Sequence, residues 1–321
     1  MYCLGIESTA HTFGVGIVDD SGRVLANVRS IYKPRSGGIH PKECTEHHLE
    51  FAVSTVKSAL DAAGLKASDI DIFSFSRGPG IPGPLRVGAV VARVLAKKFN
   101  KPLYPVNHCI AHIEIGRLTT GAKDPVTLYV SGGNTQVLAF TEGKYRIFGE
   151  TQDLGIGNAI DKLARELGLE HPGGPKLEEL AKHGKYIELP YVVKGMDLSF
   201  SGILTTAKKL IPKHKPEDIC YSFQETCFAM LTEVTERAVA HTEKEEVLLT
   251  GGVAANKRLQ EMLSIMCKER GARFYVVNPE FAGDNGAMIA WVGMLMRGQK
   301  STDLGINRYW RTDEVEIPWR L

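Results

Sequence analysis

An internal repeat is the feature that most limits the folds open to this sequence. One copy begins at residues 2–28 (YCLGIESTAHTFGVGIVDDSGRVLANV) and the other at residues 127–151 (TLYVSGGNTQVLAFTEGKYRIFGET). Both copies read as three strands joined by tight polar turns. Each half continues with a strand, a glycine-containing turn, a helix and a strand, and the halves close on residues 107–112 (NHCIAH) and 278–285 (NPEFAGDN). The duplication predicts an α/β protein with two similar lobes and a central cleft.

The lobe boundary follows from the point at which the second copy starts. We expect an N-terminal lobe over residues 1–124 and a C-terminal lobe over residues 125–321, with the tail from about 297 packing back on the first lobe. Apolar residues at helical spacing predict two long helices, at 43–65 and 216–243, and their apolar positions could also bind partner proteins. Residues 185–202 lack any periodicity and predict an irregular connection.

Composition limits the compartment and the partners. The formal net charge is +2, which is too small to indicate nucleic-acid binding by the chain as a whole. The chain starts directly on an apolar strand without a charged leader, and no apolar run reaches the length of a membrane span. The six cysteines form no C-x-x-C pair, and several lie in apolar runs, which favours reduced thiols. These features predict a soluble cytoplasmic protein.

Three turns follow apolar strands: two glycine turns, at Ser131-Gly132-Gly133 and at Gly251-Gly252, and the shorter turn Glu7-Ser8-Thr9. Glycine lets the backbone approach a phosphate closely, and a helix that starts just after the turn adds the positive end of its dipole. Neither glycine turn matches the P-loop or the dinucleotide pattern, and one such turn alone is weak evidence. We expect the two glycine turns to occupy equivalent points of the duplicated unit. They therefore predict a nucleotide in the cleft, as in the actin, Hsp70 and sugar-kinase class.

Two histidines and one aspartate form a candidate metal-binding set. His108 and His112 are four residues apart on a predicted helix, so both rings project from one face. That spacing alone is more often a pair of surface or capping histidines. Asp284 closes the other copy of the repeat, and the duplication predicts that it lies across the cleft from the histidines. Two nitrogens and one carboxylate are ligands that iron and zinc both accept.

With these motifs identified, the chain resembles the universal tRNA threonylcarbamoyltransferase family, which comprises bacterial TsaD and the catalytic subunit of the archaeal and eukaryotic KEOPS complex. Older usage called these proteins O-sialoglycoprotein endopeptidases. The resemblance runs almost end to end. It includes the sequences SRGPGIPGPLRVG, PVNHCIAHIEIG, YVSGGNTQV, HPGGPKLEELA, LTGGVAANKRL and FAGDNGAMIAW. His11 and Thr12 favour the archaeal or eukaryotic branch, because bacterial relatives tend to carry acidic residues there.

The resemblance implies a fold, ligands and residue roles. The fold would be the duplicated two-lobed ASKHA fold. One divalent metal, Fe²⁺ or Zn²⁺, would bind His108, His112 and Asp284, with Tyr129 close to the metal. An adenine nucleotide (threonylcarbamoyl-AMP, AMP or ATP) would be held by nine residues, and Mg²⁺ could accompany it. Those nine residues are Tyr129, Val130, Ser131, Gly132, Gly133, Asp161, Gly174, Glu178 and Asn256.

The activity implied is transfer of a threonylcarbamoyl group from threonylcarbamoyl-AMP to the adenosine 3′ of the anticodon in tRNAs that read codons starting with A. The catalytic base stays unknown; His11, Glu43 and His47 are unranked candidates. The implied partners are tRNA, a small dimerising subunit, a kinase-like ATPase that some archaeal relatives carry as a fusion, and a further small tRNA-binding subunit. No membrane is implied.

Three other functions compete with this interpretation. An ASKHA-fold phosphotransferase would need a catalytic aspartate in the first lobe, but Asp19 and Asp20 lie on a hairpin turn, which is a poor place for a catalytic base. Such an enzyme would also have no need of His108 and His112. A metalloprotease of the H-E-x-x-H type would need a glutamate where this chain has Cys109. A non-catalytic scaffold paralogue should lack the metal-binding set.

Overall fold

A computed structural model of the chain describes residues 1–34, 38–170, 172–299 and 303–320. Its contacts divide the chain into two compact units, and each is described separately below. Unit 1 comprises Met1–Leu118 and Asp284–Leu321, and unit 2 comprises Thr119–Gly283. The expected lobes were 1–124 and 125–321 with a return near 297, so the chain rejoins unit 1 earlier than the sequence indicates.

Unit 1 is built on a five-stranded sheet in the order β3-β2-β1-β4-β5. The first three strands are antiparallel, whereas β4 lies parallel to β1 and β5 lies parallel to β4. The strands are β1 (Tyr2–Glu7), β2 (Thr12–Asp19), β3 (Val24–Ile31), β4 (Ile72–Gly78) and β5 (Leu103–Asn107), and the helices between them are α1 (Pro41–Ala63), α2 (Pro82–Phe99) and α3 (His108–Thr120). The end of α1 is set by Gly64, which adopts the left-handed conformation at φ 66°.

Unit 2 repeats this arrangement in the order β12-β11-β6-β7-β8, so β6, β7 and β8 correspond to β1, β2 and β3. The predicted duplication is therefore confirmed. The strands are β6 (Val126–Val130), β7 (Thr135–Thr141), β8 (Lys144–Glu150), β11 (Glu246–Thr250) and β12 (Arg273–Val276). The helices are α4 (Ile156–Glu166), α5 (Gly173–Ala181), α6 (Ser201–Leu210), α7 (Pro216–Thr242), α8 (Lys257–Arg270) and α9 (Pro279–Ala282).

The stretch predicted to be irregular, 185–202, contains a small two-stranded ribbon, β9 (Val193–Lys194) with β10 (Asp197–Leu198). Asp153 connects this stretch to the loop before α4. Its carboxylate accepts hydrogen bonds from the backbone nitrogens of Phe200 and Ser201, and so caps α6 from a distance. Although some burial opposes ionisation, these bonds and those of Ser199 hold the pKa of Asp153 well below its usual range.

A last helix, α10 (Gly286–Leu295), explains why the chain returns to unit 1 at Asp284. The helix is apolar almost all round and lies directly on β1 and β2. A β-carbon on Gly5 would come within 2.1 Å of the Ala290 nitrogen, and one on Gly16 within 2.1 Å of the Ala287 nitrogen. Glycine on the strands is thus what permits this close packing, and the packing fixes the position of the residues just before α10.

All six cysteines are buried, as predicted for thiols that contribute to a core. Among the described residues, no helix combines the length and the apolar character needed to cross a membrane.

Candidate functional site

The two histidines are positioned by the junction between β5 and α3. Asn107 ends β5, and its Oδ1 accepts hydrogen bonds from the backbone nitrogens of Cys109 at 3.0 Å and Ile110 at 3.2 Å. This is an N-cap, which fixes the direction in which the helix leaves the sheet. His108 and His112 therefore occupy the first two turns of α3 on one face, with ring centroids 4.7 Å apart.

Asp284 meets both histidines at one point. Its Oδ1 lies 3.2 Å from His112 Nε2 and 3.5 Å from His108 Nε2, and the three potential ligand atoms all lie within 4.8 Å of one another. Ligands about 2.1 Å from a tetrahedral ion are roughly 3.4 Å apart, so the two measured separations fit a shared metal. Both imidazoles are almost fully buried, and the carboxylate side chain is 15% exposed. The donor set therefore fits Zn²⁺ or Fe²⁺.

A buried carboxylate, Glu7, orients the first of these ligands. Its Oε2 lies 3.0 Å from His108 Nδ1, and its Oε1 accepts hydrogen bonds from the backbone nitrogen and the hydroxyl of Thr9, both at 2.6 Å. When Nδ1 donates to a carboxylate, Nε2 carries the lone pair, and Nε2 is the atom that faces Asp284. Sequence reasoning missed this role. The available signal was a carboxylate at the end of β1, in the turn equivalent to Ser131-Gly132.

The electrostatics of the site reflect these contacts. Burial disfavours a charged His108, but the carboxylates of Glu7 and Asp284 outweigh it and raise the pKa of His108 to about 9. Burial also opposes ionisation of Asp284, yet the charge of His108 and the hydrogen bond with His112 hold the pKa of Asp284 well below its usual range. Burial lowers the pKa of His112, which favours the neutral ring. The site is thus a place where a carboxylate anion pairs with positive charge.

All of these residues lie in unit 1. The prediction that Asp284 would come from the opposite lobe, across a cleft, is therefore wrong. The physical reason is the glycine-mediated packing of α10 on β1 and β2, which returns the chain to unit 1 just before the helix begins.

The three unranked base candidates occupy different environments. His11 lies in the turn between β1 and β2, where its carbonyl oxygen accepts a hydrogen bond from the Tyr32 nitrogen at 2.8 Å. Glu43 accepts a hydrogen bond from the Tyr32 hydroxyl at 2.6 Å, and His47 Nε2 lies 3.0 Å from the Ser30 hydroxyl. Burial lowers the pKa of His47.

The two glycine turns lie together in unit 2. They follow β6 and β11, which are neighbouring parallel strands, and a β-carbon on Gly251 would meet the Val130 carbonyl oxygen at 2.2 Å. The prediction that they occupy equivalent points of the repeat is therefore wrong, since β11 corresponds to β4 rather than to β1. The first turn lies against the start of α4, where the Gly157 and Asn158 nitrogens donate to the carbonyls of residues 131 and 132 at 3.1 Å. These bonds hold the turn against the helix and occupy the nitrogens of the helix start, so the nitrogens of the turn glycines are the ones left to bind a phosphate.

The remaining predicted nucleotide residues cluster in the same unit. Asp161 on α4 accepts a hydrogen bond from the backbone nitrogen of Gly173, next to Gly174, at 3.0 Å. Glu178 on α5 accepts one from the Lys257 nitrogen at 2.7 Å, at the first turn of α8. Asn256 caps that same helix through its Oδ1, which accepts from the Leu259 nitrogen at 3.1 Å.

Tyr129 and Val130 end β6 and are fully buried in unit 2. Tyr129 pairs in register with Thr250, which immediately precedes the second glycine turn. Its predicted approach to the metal stays a prediction.

Comparison with known proteins gives a consistent result. A family model described as "TsaD: tRNA N6-adenosine threonylcarbamoyltransferase" matches residues 23–291. A protein of that name from Thermococcus kodakarensis is 59% identical over 99% of this chain and 100% of its own length. A "probable bifunctional tRNA threonylcarbamoyladenosine biosynthesis protein" from Methanobrevibacter smithii is 54% identical over 99% of this chain, which spans 60% of that relative's length.

Two solved structures resemble this chain at low sequence identity. HypF from T. kodakarensis superposes with a TM-score of 0.66 at 16% identity, covering 95% of this chain and 49% of HypF. Component A of (R)-2-hydroxyglutaryl-CoA dehydratase from Acidaminococcus fermentans gives a TM-score of 0.56 at 13% identity, covering 92% of this chain and 98% of that protein. These likenesses show the fold alone, and it is the predicted ASKHA-type α/β fold.

Proposed function

This chain belongs to the TsaD family of tRNA N6-adenosine threonylcarbamoyltransferases, and we propose that it catalyses the transfer for which the family is named. The observation that carries the proposal is the convergence of His108, His112 and Asp284, with Glu7 behind them. A non-catalytic scaffold would gain nothing from two buried imidazoles, a buried Glu7 and a largely covered Asp284, because taking charged groups out of water is costly.

The reaction proposed is an acyl transfer. The donor is threonylcarbamoyl-AMP, a mixed carbamic-phosphoric anhydride. The acceptor is the exocyclic amine of the adenosine 3′ of the anticodon in a tRNA that reads codons starting with A. A bond forms from that nitrogen to the carbamoyl carbon, the bond from this carbon to the phosphate oxygen breaks, and the amine loses a proton. The base lies in an unpaired loop, so it can be reached without opening a helix.

Unit 1 would hold the metal through His108, His112 and Asp284. A bound divalent ion would supply a Lewis acid for the carbamoyl or threonyl oxygens. Glu7 keeps His108 in the tautomer that offers Nε2 as a ligand, and Thr9 keeps Glu7 in place. The chain's own contribution is therefore a pre-oriented, water-poor donor set.

Unit 2 would hold the adenylate. The backbone nitrogens of the two glycine turns, beside the start of α4, would bind the phosphate of the leaving AMP. Asp161, Glu178 and Asn256 would bind the ribose or the base. Their contacts with the starts of α5 and α8 hold them rigidly, which lowers the entropy lost when a nucleotide binds.

Glu7 also argues against the metalloprotease alternative. A protease of that type needs a carboxylate free to activate water. Both oxygens of Glu7 are occupied, one by Thr9 and the other by His108, and the residue is fully buried.

The test is a transfer assay with purified chain, synthetic threonylcarbamoyl-AMP and an unmodified tRNA transcript, scored as modified adenosine by mass spectrometry. We expect product with a tRNA that reads codons starting with A and none when its target adenosine is replaced by guanosine. Phosphorylation of small acceptors from ATP, without modified tRNA, would instead support the phosphotransferase alternative.

The proposal extends to partner subunits of a KEOPS-type complex: a small dimerising subunit, a kinase-like ATPase and a small tRNA-binding subunit. Helices α1 and α2 pack against each other, and each carries one pair of exposed apolar residues in i, i+4 spacing. They are Leu49 (63% exposed), Val53 (78%), Val90 (53%) and Val94 (59%). By contrast, the apolar positions of α7, the other predicted partner helix, are largely buried within unit 2.

We expect Val53→Asp and Val90→Asp each to weaken binding of the small dimerising subunit by about tenfold or more. A carboxylate that becomes buried in the interface loses its hydration, and this loss lowers the binding free energy. Unfolding temperature should stay unchanged, because both side chains are exposed. Binding would be measured by calorimetry with the purified subunit. The matched control is Ile265→Asp on α8, whose side chain is 54% exposed. Equal affinities for all three variants and the unsubstituted chain would contradict this assignment of the surface.

A further inference from the structure

A cationic and aromatic pair, Arg308 and Tyr309, stands out on the surface of unit 1. Tyr309 is 72% exposed, and the Arg308 guanidinium lies over one face of its ring, 4.4 Å from the centroid. Among the described residues, no carboxylate pairs with Arg308. The pair therefore presents a large, mostly exposed aromatic ring with a guanidinium on one face.

The backbone beneath this pair is firmly anchored. The Asn307 nitrogen donates to the Arg77 carbonyl oxygen at 2.9 Å, and the Gly80 nitrogen donates to the Arg308 carbonyl oxygen at 3.2 Å. One residue further on, Asn107 Nδ2 donates to the Trp310 carbonyl oxygen at 3.2 Å, and the Arg77 guanidinium packs on the Trp310 ring at 4.8 Å. The next tryptophan is thus used to hold the segment, while the pair before it faces solvent.

The anchoring also links the pair to the candidate metal site within the same unit. Gly80 bonds to Arg308, and its neighbour Ile81 donates its nitrogen to the Thr9 carbonyl oxygen at 2.8 Å. The Thr9 hydroxyl in turn lies 3.3 Å from His108 Nδ1. A single loop, residues 79–81, therefore separates the exposed pair from the residues that orient the first histidine.

We propose that Arg308 and Tyr309 form a stacking platform for an unpaired base of the substrate RNA, beside the adenosine that reacts. This inference rests on the proposed function. Single-stranded RNA is recognised by stacking of bases on aromatic rings and guanidinium planes, with cationic side chains close to the phosphates. The exposed ring of Tyr309 offers the stacking surface, and the charge of Arg308 offers the phosphate contact. Because the whole chain carries only +2, RNA affinity must come from local sites such as this one.

The test compares Tyr309→Ala and Tyr309→Phe with Tyr186→Ala, a matched control tyrosine that is 58% exposed in unit 2. Binding is measured by fluorescence anisotropy at low salt with two labelled probes, an anticodon stem-loop RNA and a blunt RNA duplex. We expect Tyr309→Ala to weaken stem-loop binding by roughly 5- to 100-fold and to leave duplex binding unchanged, since stacking needs an unpaired base. Tyr309→Phe and Tyr186→Ala should bind the stem-loop like the unsubstituted chain.

The transfer assay separates this inference from the function on which it rests. There we expect Tyr309→Ala to raise KM for tRNA with kcat nearly unchanged and with metal content intact. Stem-loop affinity and KM within about twofold of the unsubstituted chain would overturn the platform while leaving the transferase function standing. Loss of partner-subunit binding with unchanged RNA affinity would also overturn it, in favour of a protein-docking surface. Absence of transfer by the unsubstituted chain, despite stacking-dependent stem-loop binding, would count against the proposed function instead.

Discussion

Asparagine at position 284 should leave the purified protein without stoichiometric metal and without transfer activity. The change keeps the shape and one hydrogen-bonding oxygen but removes the negative charge that faces both Nε2 atoms at 3.2 and 3.5 Å. Because it removes a ligand, its effect on metal affinity should exceed the 10- to 100-fold loss typical of an outer-shell change. Elemental analysis of the protein after equilibration with Zn²⁺ or Fe²⁺ measures the occupancy, and the transfer assay measures the consequence.

Two further variants make this result specific. Glu7→Gln removes the carboxylate behind His108 and should weaken metal binding by roughly 10- to 100-fold without abolishing it. His183→Ala removes an exposed histidine in unit 2 and should change neither occupancy nor activity. Full metal occupancy in Asp284→Asn would show that the three residues do not form the site.

The variant His108→Ala tests the metal assignment less directly than Asp284→Asn, because it also affects the stability of the fold. The sequence predicts that His108 lines a cleft, so that its removal would leave the fold intact. The structure buries both His108 and Glu7, and they form an ion pair at 3.0 Å. Removal of one partner from a buried pair destabilises a protein by about 3–5 kcal/mol. Thermal unfolding must therefore accompany any measurement on that variant.

The shared helix face of His108 and His112 could be predicted from the sequence because their spacing is local. Four residues place two imidazoles on one helix face whatever surrounds the helix, and the repeat singled out Asp284. Glu7 could not be predicted in the same way, since its contact with His108 spans 101 positions and depends on the strand order β1-β4-β5. The unit to which Asp284 belongs was mispredicted. That assignment depends on whether α10 can pack closely on β1 and β2, which it does where these strands carry Gly5 and Gly16.

Helix α1 shows a similar limit. Its apolar spacing at Leu49, Val53, Val56 and Leu60 correctly predicted a helix, but Leu49 and Val53 are exposed. Val56 of the same pattern is buried, together with Cys44, His48 and Ala52. The apolar spacing predicts the helix, and it does not say which of the patterned residues the chain's own core covers and which stay exposed.

Valine at Gly132 should abolish binding of AMP and ATP while leaving the fold intact. The structure makes this a clean substitution, because a β-carbon at Gly132 would lie 3.4 Å from the nearest side-chain atom, Asn158 Oδ1, and the residue is exposed. The added side chain would occupy the space that a phosphate needs beside the first turn of α4. Calorimetric titration with AMP measures the affinity, and the unfolding temperature should match that of the unsubstituted chain.

Two other glycines in unit 2 serve as controls for this prediction. Gly202→Val, on the exposed start of α6 with no atom within 4 Å of its added β-carbon, should bind AMP normally. Gly157→Ala should instead destabilise the fold, because its β-carbon would lie 2.7 Å from the Ser131 carbonyl oxygen. A nucleotide bound by the Ser131-Gly132-Gly133 turn must feel a side chain placed on the turn itself, whereas a nucleotide bound elsewhere in unit 2 would not. Unchanged AMP affinity in a well-folded Gly132→Val would therefore move the adenylate away from this turn and remove the support that the turn gives to the proposed function.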